Sequence, residues 1–224
     1  MRINLLLQRA AVSAAALALT ASASAIITLD FEGLQNNENI EDFYNGGTGS
    51  LGSSGPDLGI GFSDNALAII DADAGGGGNF GGEPSPDTVL YFLTGAETFM
   101  NVFAGFDTGF SFYYSAINNP GFINVYDALN GTGNVLATLD LPVTPSDGGD
   151  PTGAFSPFFP VGVAFDGTAY SIGFGGVQNQ IGFDNVTFGS DVPTPPRRVP
   201  DTGSTILLLG AGLLGMLALK RRSR

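Results

Sequence analysis

From Ile26 onward apolar residues recur at every second position, and this periodicity excludes most folds. In "IITLDFEG", Ile27, Leu29 and Phe31 fall on one face of an extended chain, and Thr28, Asp30 and Glu32 fall on the other. A repeat of two sends successive side chains to opposite faces of a strand, whereas a helix needs apolar residues three and four apart. "TVLYFL", "TFMNVFA", "GFSFYYS", "GFINVYD", "NVLATLD", "PVGVAF", "TAYSIGF" and "NQIGFDNVTF" follow the same rule, separated by Gly, Asn, Asp and Pro clusters. Gly 34 and Pro 13 disfavour helix interiors, and Phe 18 supplies large core side chains. About nine or ten short strands at regular turn spacing predict an all-β fold, a two-sheet antiparallel β-sandwich of jelly-roll-like type. Its span is residues 26–190.

Charge is distributed in a way that limits chemistry and partners. The eight basic residues are Arg2, Arg9, Arg197, Arg198, Lys220, Arg221, Arg222 and Arg224, so none lies between residues 10 and 196. All of the 21 acidic residues except Asp201 lie inside that interval. Such a domain repels nucleic acid, which needs cationic neutralisation of its phosphates. Its carboxylates must be solvated, screened or bridged by divalent cations. Cys 0 and His 0 remove disulfides, thiolate nucleophiles, the Ser-His-Asp arrangement and the usual transition-metal ligands. Paired carboxylates could in principle act as in glycosidases, but no pair stands out, and no enzyme activity is expected.

Both termini read as signals. "MRINLLLQRAAVSAAALALTASASA" has a basic start, an apolar middle and the small residues Ala23 and Ala25 flanking Ser24, the layout of a signal peptide over 1–25, cleaved after Ala25. At the other end "DVPTPPRR", within 191–198, is a Pro-rich linker. There follow "VPDTGS" (Val199, Pro200, Asp201, Thr202, Gly203, Ser204), an apolar run from Ile206 to Leu219, and the basic tail Lys220, Arg221, Arg222 and Arg224. The run alone makes about 21 Å of helix against a hydrocarbon core of about 30 Å, and adding Thr202 to Thr205 brings it to about 27 Å. A transmembrane helix of that length is a marginal anchor, with the basic tip on the cytoplasmic side. It suits a transient hold on the membrane.

One metal site is expected. Asp30 and Glu32 share a face of the first strand, while Asp184 and Asn185 lie in the last strand. Terminal strands are commonly neighbours in a jelly roll, so these oxygens would converge as a structural calcium site. Ile181 and Phe183 also share one face while Val186 and Phe188 share the other, unless an extra residue bulges at Asp184-Asn185. "DADAGGGGNFGGE" is a weaker calcium-loop pattern, because Gly75 and Gly82 stand where ligands would be needed. For glycan binding the available rings are Tyr113 or Tyr114 of "FYYS", one of which must face outward, and Tyr44 in a loop; Trp is absent.

The C-terminal 26 residues, "VPDTGSTILLLGAGLLGMLALKRRSR", resemble the tripartite sorting signal of exosortase substrates, the PEP-CTERM class, most closely its VPDSG-CTERM variant. The motif is carried by Val199, Pro200, Asp201, Gly203 and Ser204, with Thr202 replacing the usual Ser. The rival is the sortase signal LPxTG, which would be cut between Thr202 and Gly203 and joined to the cell wall. The apolar run starts almost at once after the motif, which favours the exosortase route. The globular part resembles β-sandwich domains of PEP-CTERM proteins through "LDFEGL", "YNGGTGS", "GIGFSDNALAI", "GFSFYYSA" and "IGFDNVTFGS". Its ends are similar to carbohydrate-binding jelly rolls in which an "FE" and an "iDdV" hold a structural calcium, a likeness that carries over to Glu32 and Asp184. Together these resemblances imply an exosortase-type membrane protease as partner. They also imply an inner-membrane-anchored precursor and a final place at the cell surface or in the extracellular matrix. The role implied is structural or adhesive in an exopolysaccharide matrix, with a calcium-dependent carbohydrate-binding module as the alternative.

Overall fold

Twelve strands and no α-helix form among the described residues, 26–146 and 153–195, of the computed structural model. The expected signal segment with Ala23 and Ala25, and the sorting tail from Val199 to Arg224, lie outside the described residues. In chain order the strands are β1 (Ile27–Leu29), β2 (Glu38–Asn39), β3 (Ile60–Phe62), β4 (Ala66–Ile70), β5 (Thr88–Phe92) and β6 (Glu97–Phe106). They continue as β7 (Gly109–Ser115), β8 (Gly121–Tyr126), β9 (Val135–Leu141), β10 (Phe159–Ala164), β11 (Ala169–Gly176) and β12 (Gly182–Phe188). The alternating segments correspond to β1 and β5 to β12. Three further strands carry no period-two signal. β2 has two residues, β3 is buried at all three positions, and β4 reads "ALAII", apolar throughout.

Two antiparallel sheets result, as the alternation predicts. One has the order β10-β7-β12-β5-β4-β2, with β1 also paired to β12, and the other the order β3-β6-β11-β8-β9. Their inner faces interdigitate through aromatic rings. Phe174 of β11 meets Phe183 of β12 edge-on at 4.9 Å and Phe110 of β7 at 5.9 Å. Edge-to-face contacts of this kind add about 0.5–1.5 kcal/mol each to the burial of the rings. In β7 the alternation holds residue by residue: Phe110, Phe112 and Tyr114 join the core, while Tyr113 packs on the opposite face with Phe80, Val89 and Phe158.

β12 departs from regular pairing where the sequence requires it. The register with β7 shifts between Asp184 and Thr187, and Asn185 takes a left-handed φ of 48°. The extra residue brings Phe183, Val186 and Phe188 into the same core despite their odd spacing. It also changes the partner on the far edge of β12. Phe183 pairs with Leu90 of β5, while Val186, Thr187 and Phe188 pair with Leu29, Thr28 and Ile27 of β1. Asp184 and Asn185 therefore sit midway along β12, where the end of β1 meets the start of β5.

The Gly-rich stretch between β2 and β3 is organised by a carboxylate that sequence reading did not single out. Glu38 is fully buried, and it accepts N–H bonds from Gln35 at 2.7 Å, Leu51 at 3.0 Å and Ser53 at 3.1 Å. Burial pushes its acidity toward the neutral form, but hydrogen bonds from Ser53, Gln35 and Leu51 outweigh this and hold it below the usual glutamate range. Gly49 is required by closeness: a Cβ there would lie 2.5 Å from Glu38 Oε1. Replacing Glu38 by Ala leaves these loop donors without an acceptor. We expect Glu38→Ala to cost about 2–4 kcal/mol in urea unfolding, and a loss below about 0.5 kcal/mol would contradict this role.

Candidate functional site

β1 ends at Leu29, so Asp30 and Glu32 do not share a strand face as the alternation suggested. Phe31 between them takes a left-handed φ of 58° while its ring is fully buried in the core. A bulky residue in that region is strained by about 1–3 kcal/mol and persists only where its surroundings hold it. Its N–H donates to the hydroxyl of buried Tyr44 at 2.9 Å, and its ring meets those of Tyr44 and Phe62. The resulting turn carries Glu32 toward the start of β5, where Glu32 Oε1 accepts the N–H groups of Asp87 at 3.0 Å and Thr88 at 2.9 Å.

Ser85 joins the two ends of the domain. Its N–H donates to Asp184 Oδ2 at 2.8 Å, and the Asn185 N–H donates to Asp184 Oδ1 at 2.6 Å. Ser85 Oγ lies 2.8 Å from each Asp184 oxygen, 3.0 Å from the Asp30 carbonyl oxygen and 3.4 Å from Glu32 Oε1. A hydroxyl has one proton. Four oxygens thus compete for it, a surplus of lone pairs that a further proton or a cation would relieve. Ser85 was invisible to motif reading, yet "PSP" holds the signal: Pro84 and Pro86 have no N–H, so Ser85 supplies the donor between them.

The electrostatics register the same surplus. Burial is the largest cause that raises Asp184 to about 7, against hydrogen bonds from Ser85 and Asn185, and the Glu32 charge adds to it. Glu32 is raised first by burial, then by the charges of Asp87 and Asp30. Glu83 is raised to about 8, again first by burial and then by Asp71, Asp184 and Asp73. The "DADAGGGGNFGGE" loop therefore delivers its charge to the same end of the sandwich, although strands rather than helices flank it.

Of the four predicted ligands, Glu32 and Asp184 meet through Ser85, and Asp30 reaches it through its main-chain oxygen. Asn185 lies across a cavity of about 80 Å³ that Asp30, Ser85, Thr28 and Thr194 also line. Among the described residues no three carboxylate, His or Cys side chains converge as a metal-holding group. A divalent cation here would depend on carbonyl, hydroxyl and amide oxygens as well, which is within calcium's habit. The donor set, oxygen-only and short of protons, fits calcium. Thr28 and Thr194 lie 2.7 Å apart, with Thr187 beside both, so the first residues of the expected linker rest against β1 and β12.

Of the tyrosines expected as sugar platforms, Tyr44 and Tyr114 belong to the core and Tyr113 faces outward, as the alternation requires of one of the pair. Tyr44 is buried beside Asp30, Asp184 and Glu32, and burial followed by the Asp30 charge pushes its hydroxyl well above the usual tyrosine range. Tyr114 is buried with its hydroxyl donating to the Pro142 carbonyl at 3.1 Å, while Tyr113 is half-buried on the outer face against Phe80, Val89 and Phe158.

Residues 198–223 match the family described as the VPDSG-CTERM motif. The chain ends in a VPDSG-CTERM sorting motif. Such a motif implies an exported protein processed at the membrane by an exosortase-type enzyme. The all-β domain is similar to two solved adhesin domains of Lys-gingipain from Porphyromonas gingivalis W83. K1 is 13% identical, with TM-score 0.39, and the match covers 75% of this chain and 99% of that one. K3 is 13% identical, with TM-score 0.32, covering 74% of this chain and 91% of that one. Among curated proteins none is similar to the chain in sequence. No helix among the described residues is long and apolar enough to cross a membrane.

A carboxyl whose folded value lies above its ordinary value contributes stability that is complete below the ordinary value and lost as pH rises through the folded one. For Asp184 that window runs from 3.8 to about 7. In metal-free buffer the protein should melt higher at pH 5 than at pH 8, by about 5 °C or more. Asp184→Asn should shrink the difference, and an unchanged difference in that variant would remove Asp184 as its source.

Proposed function

We propose that this chain is an exported, non-catalytic surface or extracellular-matrix protein, structural or adhesive in an exopolysaccharide matrix. The observation that carries the proposal is the VPDSG-CTERM match over residues 198–223. The tail from Val199 to Arg224 holds the precursor transiently in the inner membrane. Processing near Val199-Pro200-Asp201 then frees the sandwich. An acidic domain with no basic residue between positions 10 and 196 suits a matrix in which divalent cations link anionic surfaces. Mass spectrometry of the mature C-terminus in the native host tests this. A terminus near Pro200-Asp201 is expected, and either a retained tail or a cut between Thr202 and Gly203 would overturn the exosortase route.

Calcium has a place in this reading as a stabilising ion between the chain ends. Glu32, Asp184, the Asp30 carbonyl and Ser85 would hold it, and Asn185 borders the same space. When bound, the ion supplies positive charge to carboxylates that no side chain of the domain can neutralise. The rest is done by the protein: Ser85 and the Asn185 N–H orient Asp184, and the Asp87 and Thr88 N–H groups orient Glu32. EDTA should lower the melting temperature at pH 8, and calcium should restore it. Asp184→Ala should melt lower and no longer respond to EDTA; a wild-type protein indifferent to EDTA would eliminate the ion.

A further inference from the structure

The outer face of the seven-stranded sheet is not flat. The loop after β4, the segment before β10 and the turns before β8 and β12 rise around a cleft of about 300 Å³, within the size range of small-ligand sites. Its floor is apolar: Ile69 of β4, Val89 and Tyr91 of β5, and Gly182 of β12. Phe80 and Phe155 form one wall. The rim carries the amides of Asn79, Asn118, Asn179 and Gln180.

Charge identifies the occupant. Among the described residues no carboxylate lines the cleft, in a domain whose interval 10–196 holds all but one of the chain's 21 acidic residues. A cation would find no partner there, and an anion would be repelled by the surrounding field. Phosphates and uronic acids are excluded on that ground. What suits aromatic rings beside uncharged amides is a molecule with C–H faces and several hydroxyls. Amides both donate and accept, as hydroxyl groups require.

The rim is already held in place. Asn118 and Asn119 donate to Gln180 Oε1 at 3.1 and 3.4 Å, Gln180 Nε2 donates to the Asn179 carbonyl at 2.8 Å, and Asn79 Oδ1 accepts the Ala154 N–H at 3.0 Å. Donor and acceptor positions remain on Asn118 after these bonds, since its Oδ1 and second N–H enter none of them. Gly182 keeps the floor open without a backbone reason for being glycine. Its φ is not left-handed, and a Cβ there would make ordinary contacts of 3.4 Å to Phe158 and 3.5 Å to Val89.

We propose that this cleft binds a neutral hexose unit of a polysaccharide. The inference deepens the matrix reading and stands apart from the calcium one, because none of Asp30, Glu32, Ser85, Asp184 and Asn185 lines the cleft. The full chain, purified in detergent, is titrated calorimetrically with neutral glucan, mannan and galactan hexasaccharides and with hexagalacturonate. At least one neutral sugar should bind with and without EDTA, and hexagalacturonate should not. Asn118→Ala, at an exposed position, should weaken binding about tenfold, as expected for one lost hydrogen bond. Phe155→Ala should weaken it comparably, and Gly182→Val should abolish it by filling the floor. Failure of all three neutral sugars overturns the proposal, as does binding unchanged in Asn118→Ala. Neither outcome bears on where the mature C-terminus lies, so the sorting reading is tested separately.

Discussion

A sandwich with many carboxylates and no cationic side chain must satisfy buried negative charge with neutral donors. That constraint recurs throughout the molecule. Glu38 is held by N–H groups of its own loop, Glu32 by those at the start of β5, and Asp184 by Ser85 and Asn185. On the surface, Asp127 accepts from Asn134 twice. Each carboxylate gathers a loop, because only irregular backbone has N–H groups free of a sheet ladder. The Gly-rich stretches are therefore ordered around acids, and close approach rather than chain freedom explains a residue such as Gly49.

Where donors run short, backbone strain gathers. At the junction of β1, β5 and β12 one Ser85 proton faces four oxygens, and the two residues with left-handed backbone beside them, Phe31 and Asn185, aim the carboxylates inward. Local strain of that kind persists where packing over-determines it. Here the packing is the aromatic pile of Phe31, Tyr44 and Phe62 on one side and the core row of Phe183, Val186 and Phe188 on the other. The bulge thus serves two ends at once, keeping the hydrophobic register of β12 and turning its polar pair toward the chain's beginning.

The acidic junction and the neutral cleft divide the polar chemistry of the fold. The first collects charge where strands change partners. The second lies on the outer sheet face, beneath loops that carry Phe80 and Phe155. Both draw on the segment joining β4 to β5, which supplies Ser85 to the junction and Asn79 and Phe80 to the cleft.

Sequence alone determined the fold class, because a two-residue period has only one regular conformation to satisfy it, and it located the bulge from the face-switch between Phe183 and Val186. It also carried the sorting motif, which is read linearly and needs no folding. β2, β3 and β4 escaped it, since a strand buried on both faces or two residues long has no alternation. Glu32 and Asp184 were legible as a pair, but Ser85 between them was not, nor was the burial of Tyr44 and Tyr114. Those depend on which strands become neighbours and on which N–H groups pairing leaves over. Partnership across 99 residues of chain, as between Ser85 and Asp184, is decided only when the two sheets close on their common core.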